Sequence, residues 1–249
     1  MLRTMPIGIL EIKSQVQTLR ACGVIANEIP SWIGKLTQLE NLTLDGSTHD
    51  SAENHNSVLT QLPISMGDIE RLNTIALSNF IRLRELPETL GSLSSLQKLD
   101  VRGCDTLATL PVCLDQWTGM ECLMLNDKPS FKELPPNMAV IANLHTLHMI
   151  MCAISRIPES IGVLANLTQL VMGRCPIMDL PPSIEALTTL HTIMLCTHND
   201  EPPISSRAFQ TLARALPVFR GLVKMHLTMR WEQEYWRLDA HSGHGPSPS

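Results

Sequence analysis

An apolar pattern recurs along the chain at an interval of 23 or 24 residues. Its central aliphatic positions are Leu72, Leu96, Met120, Leu144, Leu167 and Leu190, separated by 24, 24, 24, 23 and 23 residues. With an earlier copy centred on Leu39 and looser copies at both ends, we count nine units. A unit this short cannot bury its own apolar face, so it has to stack on its neighbours. The pattern therefore predicts a solenoid.

Each unit combines a short strand with a turn on the opposite side. In Leu42-Thr43-Leu44, for example, alternate side chains point to opposite faces, so the leucines enter the core and the threonine points outward. Proline follows a Leu or Ile at a fixed place, where it can open a helical turn, at Pro30, Pro63, Pro87, Pro111, Pro135, Pro158 and Pro181. We expect the glycines that follow to end these turns in the left-handed conformation, at Gly34, Gly67, Gly91 and Gly162.

The frame L-x-x-L-x-x-L-x-L, followed by L-P-x-x-[IL]-G, resembles the leucine-rich-repeat family over roughly residues 5 to 230. It is similar to the intracellular class found in Ras-pathway scaffolds and in the repeat regions of plant-type resistance receptors. The resemblance implies an α/β fold, a right-handed solenoid with a parallel β-sheet on the concave face and short helices or turns on the convex face. It also implies an Asn or Cys beyond each strand that ties the turn to neighbouring backbone. Cys104, Cys152 and Cys175 fit, whereas Lys128 and His198 do not, so we expect irregular turns there.

We expect one repeat domain over residues 1–230, with two departures from the period. The longer step between Leu39 and Leu72 leaves room for a polar insertion at residues 45–58, which should loop out of the solenoid. Residues 205–216 have the apolar spacing of a helix. We assign residues 231–249 to C-terminal cap residues and a disordered tail. No polar cap precedes the first unit, so we expect this end either to pack on another molecule or to continue a longer protein.

Composition and motifs disfavour several classes of function. A net charge of −5 without a basic block disfavours nucleic acid as a partner, and no apolar run reaches the roughly 20 residues of a membrane span. Seven scattered cysteines indicate a reducing compartment, so we expect a cytoplasmic protein. Phosphate-loop, nucleophile-elbow and metal-ligand motifs are lacking, so we expect no catalytic residue, cofactor or metal. Two alternatives were weighed and disfavoured: a metal site in the insertion, and a thiol nucleophile at Cys122 beside His148.

The outward strand positions provide the candidate site. Charge is concentrated at the fourth strand, and the face then turns apolar and rich in Met, which is typical of a protein-docking surface. The expected partner-binding residues are Lys98, Asp100, Arg102, Met124, Asn126, His148, Ile150, Val171 and Met194. Scattered apolar residues on a sheet face are also ordinary. We interpret the chain as a non-enzymatic interaction module or signalling scaffold that binds a protein or peptide on its concave sheet. The alternative is a ligand-sensing repeat segment of a larger multidomain, immune-type receptor, and the oligomeric state stays open.

Overall fold

The strands follow one another in chain order and form one ten-stranded sheet. The computed structural model describes residues 7–24, 26–47, 58–112, 114, 116–127, 129–195, 206–219, 224–231 and 234–241. The first nine strands run parallel, and the tenth is antiparallel to the ninth. The strands are β1 Thr18–Ala21, β2 Asn41–Asp45, β3 Thr74–Ser78, β4 Lys98–Asp100, β5 Cys122–Met124, β6 Thr146–His148, β7 Gln169–Val171, β8 Thr192–Leu195, β9 Lys224–Trp231 and β10 Glu234–His241. The predicted solenoid with one parallel strand per unit is confirmed.

Short 3-10 helices form the layer opposite the sheet. They are Ile7–Ile12, Ser31–Lys35, Ile64–Asp68, Glu88–Ser92, Trp117–Gly119, Met138–Ile141, Glu159–Val163, Pro182–Ala186 and Leu216–Val218. Five of them directly follow a proline, at Pro30, Pro63, Pro87, Pro158 and Pro181, each with φ between −61° and −70°. The ring of proline sets this angle in advance, so the predicted helical turns are confirmed at these five places. One α-helix, α1 Ser206–Ala215, buries Ala208, Leu212 and Ala215.

The core lies between the sheet and the helical layer. Its inner sheet surface is a row of fully buried aliphatic residues in lateral register, which are Leu42, Ile75, Leu99, Leu123, Leu147, Leu170 and Ile193. A slip of one residue in any strand would turn its aliphatic side chain to solvent, so burial sets the register. From the helical layer, Trp117 is fully buried and its Nε1 donates to the Leu90 carbonyl at 2.7 Å.

The glycines that the sequence pattern predicts to be left-handed do not have that conformation. Gly34, Gly67, Gly91 and Gly162 do not have positive φ, so that prediction is wrong. Close approach explains three of them instead: a Cβ would lie 2.6 Å from the next unit's carbonyl oxygen at Gly67 and at Gly162, and closer still at Gly34. These glycines allow the helical turns of adjacent units to touch.

The left-handed residues lie at the other end of the unit, just beyond the strand. They are Gly23, Asn79, Gly103, Asp127, Met151 and Arg174, with φ between 56° and 67°. The chain makes a sharp turn at this point in each of these units. Four of the six positions hold a residue with a side chain. Asn79 and Asp127 are of types that tolerate this conformation, whereas Met151 and Arg174 each carry a cost of about 1–2 kcal/mol in it.

Buried thiols tie three of these turns to the neighbouring unit, as the resemblance implied. The Sγ of Cys152 donates to the Leu125 carbonyl at 2.7 Å, and the Sγ of Cys175 donates to the Met149 carbonyl at 2.8 Å. Cys104 makes the equivalent, longer contact of 3.6 Å with a carbonyl of the preceding unit. The predicted irregular turns at Lys128 and His198, the insertion residues 48–57 and the tail residues 242–249 lie outside the described residues. The assignment of cap residues after residue 230 stays a prediction.

Candidate functional site

The middle outward position of each strand forms a continuous row across the sheet, which we call the central row. Strand pairing aligns Thr43, Ala76, Asp100, Met124, His148, Val171 and Met194 in that order. Neighbouring strands lie about 4.8 Å apart, so adjacent side chains of the row are in contact range. The structure therefore brings four of the predicted site residues side by side on β5 to β8.

The apolar part of the central row is partly sheltered. Met124, His148 and Met194 are half-buried, whereas Val171 is only 7% exposed. The expectation that Val171 is exposed is wrong, since its side chain is buried. Val171 is the buried member of the central row, between His148 on one neighbouring strand and Met194 on the other.

A second pair of predicted residues lies where β5 and β6 end. Ile150 is half-buried, and its backbone N–H donates to the Oδ1 atom of Asn126 at 2.9 Å. Asn126 therefore bonds to the neighbouring unit and holds the backbone of Ile150 in place. This bond extends the contact between the two strands beyond the ladder.

The charged end of the site is organised as an ion pair. The side chain of Asp100 is 6% exposed and accepts a hydrogen bond of 2.9 Å from Nε of Arg102, whose side chain is 56% exposed. Burial of this carboxylate is possible because the guanidinium compensates its charge. Lys98 is half-buried on the same strand. The face thus presents cationic groups to solvent beside the apolar surface.

Burial makes His148 a neutral side chain. Loss of solvent lowers its pKa, against the opposing effects of a hydrogen bond to Gln169 and the charge of Asp100. Its Nε2 atom is buried with no hydrogen-bond partner among the described residues. Sequence reasoning missed the contribution of Gln169, although its outward position on the next strand was visible. The neutral imidazole adds to the apolar character of the surface.

The surroundings of Cys122 do not favour a thiol nucleophile. Burial raises the pKa of the Cys122 thiol, and the nearby positive charge of Lys98 opposes this only in part. His148 lies in register with Met124, whereas Cys122 lies in register with Thr146. A reactive cysteine needs a stabilised thiolate and a base in contact, and neither feature is present here.

The described residues form neither a metal-binding group nor a membrane-spanning helix. No three His, Cys, Asp or Glu side chains in the described ranges are grouped so that they could hold a metal ion. No described helix has the length and apolar character needed to cross a membrane.

Comparison with known sequences gives a partial match. No protein-family model matches the chain. Over 148 residues it is 29% identical to the Arabidopsis thaliana Protein SUPPRESSOR OF npr1-1, CONSTITUTIVE 1. That match covers 59% of this chain and 9% of the Arabidopsis protein, so the chain spans less than a tenth of this relative's length.

Solved structures match over more of the chain. The leucine-rich-repeat domain of the type III effector XopL has a TM-score of 0.72 and 23% identity, over 88% of this chain and 71% of that one. A leucine-rich-repeat protein of Leptospira interrogans, LIC12759, has a TM-score of 0.65 and 20% identity, over 92% and 60%. A chain of the Drosophila Toll–Spatzle complex has a TM-score of 0.59 and 18% identity, over 94% and 36%. At these identities the likeness concerns the fold.

Proposed function

The chain has the leucine-rich-repeat fold, and we propose that it is a protein-interaction module that binds a protein or peptide on the concave face of its sheet. This fold is typically a protein-binding, non-catalytic module. One observation carries the proposal: the central row holds the partly exposed neighbours Met124 and His148 and, beyond the buried Val171, the partly exposed Met194. A contiguous apolar surface with a charged border is the usual anatomy of a docking site.

Binding would combine apolar burial with orientation by charge. A partner side chain that covers Met124, Met194 and Ile150 removes their remaining exposed surface from water, which provides the affinity. Arg102 and Lys98 at the border favour a partner with acidic groups on one side of its apolar contact. Asn126 acts indirectly in this scheme, since its Oδ1 is bonded to the backbone of Ile150.

We also propose that the protein is cytoplasmic. The seven scattered cysteines favour a reducing compartment, and those at residues 104, 152 and 175 are free and buried. This pattern is the ground for proposing a cytoplasmic signalling scaffold. The Toll–Spatzle structure is a complex, and it offers a precedent for protein binding by a chain of similar fold.

The test compares substitutions on the two sides of the molecule. The variant Met124→Asp with Ile150→Asp places two charges on the concave face. The control Ile64→Asp with Val112→Asp places the same charges on residues that are 74% and 86% exposed outside the sheet. Each tagged chain is used to capture proteins from native extract, and a captured protein is then purified and titrated directly.

We expect the concave variant to lose at least about 2 kcal/mol of binding free energy, as for central interface residues, while the control binds like wild type. Circular dichroism should show that both variants are folded, because neither pair is part of the buried core. Equal binding by the concave variant and the wild type would show that the partner docks elsewhere.

A second candidate, a ligand-sensing repeat segment of a larger immune-type receptor, is favoured by the match to a much longer Arabidopsis protein. Immunoblotting of native extract with an antibody against this chain distinguishes the two. A species near 27.6 kDa supports the interaction module, and a species several times larger supports the receptor segment.

A further inference from the structure

A cavity of about 370 Å³ lies beyond the carboxyl ends of β5, β6 and β7, in the turns that follow these strands. Its lining includes Pro129, Met151, Cys152, Arg174, Cys175 and Pro176. We call it the edge pocket. It shares no residue with the central row, and its volume is that of a small-ligand site.

The rim of the edge pocket is accessible to a ligand. Met151 is 44% exposed, and Pro129, Arg174 and Pro176 are exposed as well. Three of these four side chains are apolar, and Arg174 is the one charged residue in the described lining. The pocket thus offers an exposed apolar surface with a single cationic group.

Buried groups hold the base of the edge pocket in place. The thiols of Cys152 and Cys175 are buried and donate to carbonyls of the preceding unit. The backbone N–H of Met151 donates to the Gly173 carbonyl at 2.8 Å, which joins the two turns that carry most of the rim. The rim is therefore in position before a ligand binds, which lowers the entropy cost of binding.

Met151 and Arg174 both have a left-handed backbone, with φ of 57° and 56°. This conformation disfavours side chains of both types, whereas glycine would adopt it without strain. The two side chains also meet, since Nη1 of Arg174 donates to Sδ of Met151 at 3.6 Å. Strained backbone of this kind is concentrated at functional sites. Two adjacent units therefore place side chains on one cavity at a cost in stability.

The guanidinium of Arg174 lacks an anionic partner. It forms no ion pair with any residue in the described ranges, and the thioether sulfur of Met151 is only a weak acceptor. A carboxylate would match its single charge and could accept two parallel hydrogen bonds in the plane of the guanidinium. The face of the same group and the neighbouring sulfur both attract an aromatic ring.

We propose that the edge pocket binds a peptide in which an aromatic residue adjoins an aspartate or glutamate. The carboxylate binds the guanidinium of Arg174, and the ring lies against Met151 and the exposed prolines of the rim. This inference goes beyond the docking surface of the central row, because no residue of that row lines the edge pocket.

The probe is the capped dipeptide acetyl-Phe-Asp-amide, titrated into the full chain and followed by the proton NMR signals of its ring. Acetyl-Phe-Asn-amide has the same shape without the charge, and acetyl-Ala-Asp-amide keeps the charge without the ring. We expect saturable binding of the first dipeptide. The Asn dipeptide should bind at least about threefold more weakly, and the Ala dipeptide at least about fivefold more weakly. Binding that does not saturate, or equal binding of either comparison dipeptide, would overturn the proposal.

Substitutions in the rim locate the site. Arg174→Gln removes the charge, and the matched control Arg82→Gln removes the same charge from an exposed arginine that follows β3. Met151→Gly removes one wall at a left-handed residue, where glycine relieves strain, so a loss of binding would not come from unfolding. Circular dichroism checks the fold of each variant.

We expect Arg174→Gln and Met151→Gly each to weaken binding of acetyl-Phe-Asp-amide by at least about threefold, while Arg82→Gln binds like wild type. Wild-type affinity in both rim variants, or an equal loss in the control, would place the dipeptide outside the edge pocket and refute the assignment. The variants used above to test the proposed function change no residue of this lining. A titration without saturation therefore refutes the edge pocket and leaves the docking surface of the central row standing.

Discussion

Gly162 lies where the helical turns of two adjacent units touch, and adding one methyl group there should separate them. A Cβ at this position would lie 2.6 Å from the Ser183 carbonyl oxygen and 2.7 Å from the Ser183 Cβ. The oxygen belongs to the backbone of the next helical turn, so it cannot be moved aside by a change of rotamer. We therefore expect Gly162→Ala to destabilise the solenoid.

The magnitude follows from two opposing effects. Overpacking of a tight contact costs about 1–3 kcal/mol. Alanine recovers about 0.4–1 kcal/mol by restricting the unfolded chain. The net loss in free energy of unfolding is then about 1–2 kcal/mol, which corresponds to a fall in Tm of roughly 2–8 °C for a chain of this size.

Gly119 provides the matched control. It also lies in a 3-10 helix and lacks positive φ, but the nearest atoms to its added Cβ would be carbonyl oxygens at 3.6 and 3.9 Å. Only the effect on the unfolded chain remains, so Gly119→Ala should raise the free energy of unfolding by about 0.4–1 kcal/mol. Replacement of glycine by alanine should thus lower the free energy of unfolding at residue 162 and raise it at residue 119.

A third variant distinguishes a steric clash of the added Cβ from a backbone conformation that disfavours side chains. Asparagine tolerates a left-handed backbone but still carries a Cβ, so Gly162→Asn should be no more stable than Gly162→Ala. Thermal unfolding followed by circular dichroism measures stability, and hydrogen exchange locates the loss, since repeat arrays do not always unfold in one step. A Gly162→Ala protein as stable as wild type, or a Gly162→Asn protein more stable than Gly162→Ala, would contradict a steric clash at this position.

Three further predictions concern the strand ends and the central row. Met151 has φ of +57° and is 44% exposed, so Met151→Gly should raise the free energy of unfolding by about 0.5–1 kcal/mol in urea titration; a loss of stability would contradict this. Cys152→Ala removes the donor to the buried Leu125 carbonyl and should lower the free energy of unfolding by about 1–3 kcal/mol, as measured by thermal unfolding. Cys152→Ser keeps a donor and should lose less. Equal losses in the two variants would show that this hydrogen bond does not stabilise the protein. Burial lowers the pKa of His148 below its ordinary 6.5, so its stabilising contribution is present above that pH and is lost as the pH falls through the folded-state pKa. Urea titrations between pH 7.5 and about 5 should therefore show a larger loss in the free energy of unfolding for wild type than for His148→Gln. Equal losses in the two proteins would contradict this prediction.

The outward face could be predicted residue by residue, but its exposure could not. Strand alternation placed Met124, His148, Val171 and Met194 on one side of the sheet, and the pairing confirms that they are neighbours. Whether each is accessible depends on how the surrounding side chains pack. Val171 is buried, whereas Met124, His148 and Met194 are half-buried. Their role in binding a partner stays a prediction.

The cavity of about 370 Å³ beside α1 shows a limit of another kind. Arg156 and Arg214 are separated by more than two units of sequence, and no spacing pattern connects them. They line one cavity because α1 buries Ala208 and Leu212 in the core, which leaves Arg214 on the exposed side of the helix, facing the cavity that Arg156 also lines. Only the packed structure reveals this juxtaposition.

The sequence by itself determined the repeat, its strands, the buried aliphatic row and the thiols of the turns, because each depends on a pattern that recurs along the chain at a fixed interval. The tertiary structure alone decided why the turn glycines are required, which outward residues are buried and which residues distant in sequence line a common cavity. These properties depend on distances between neighbouring units, and such distances are set by how the units pack, which no local pattern within one unit contains.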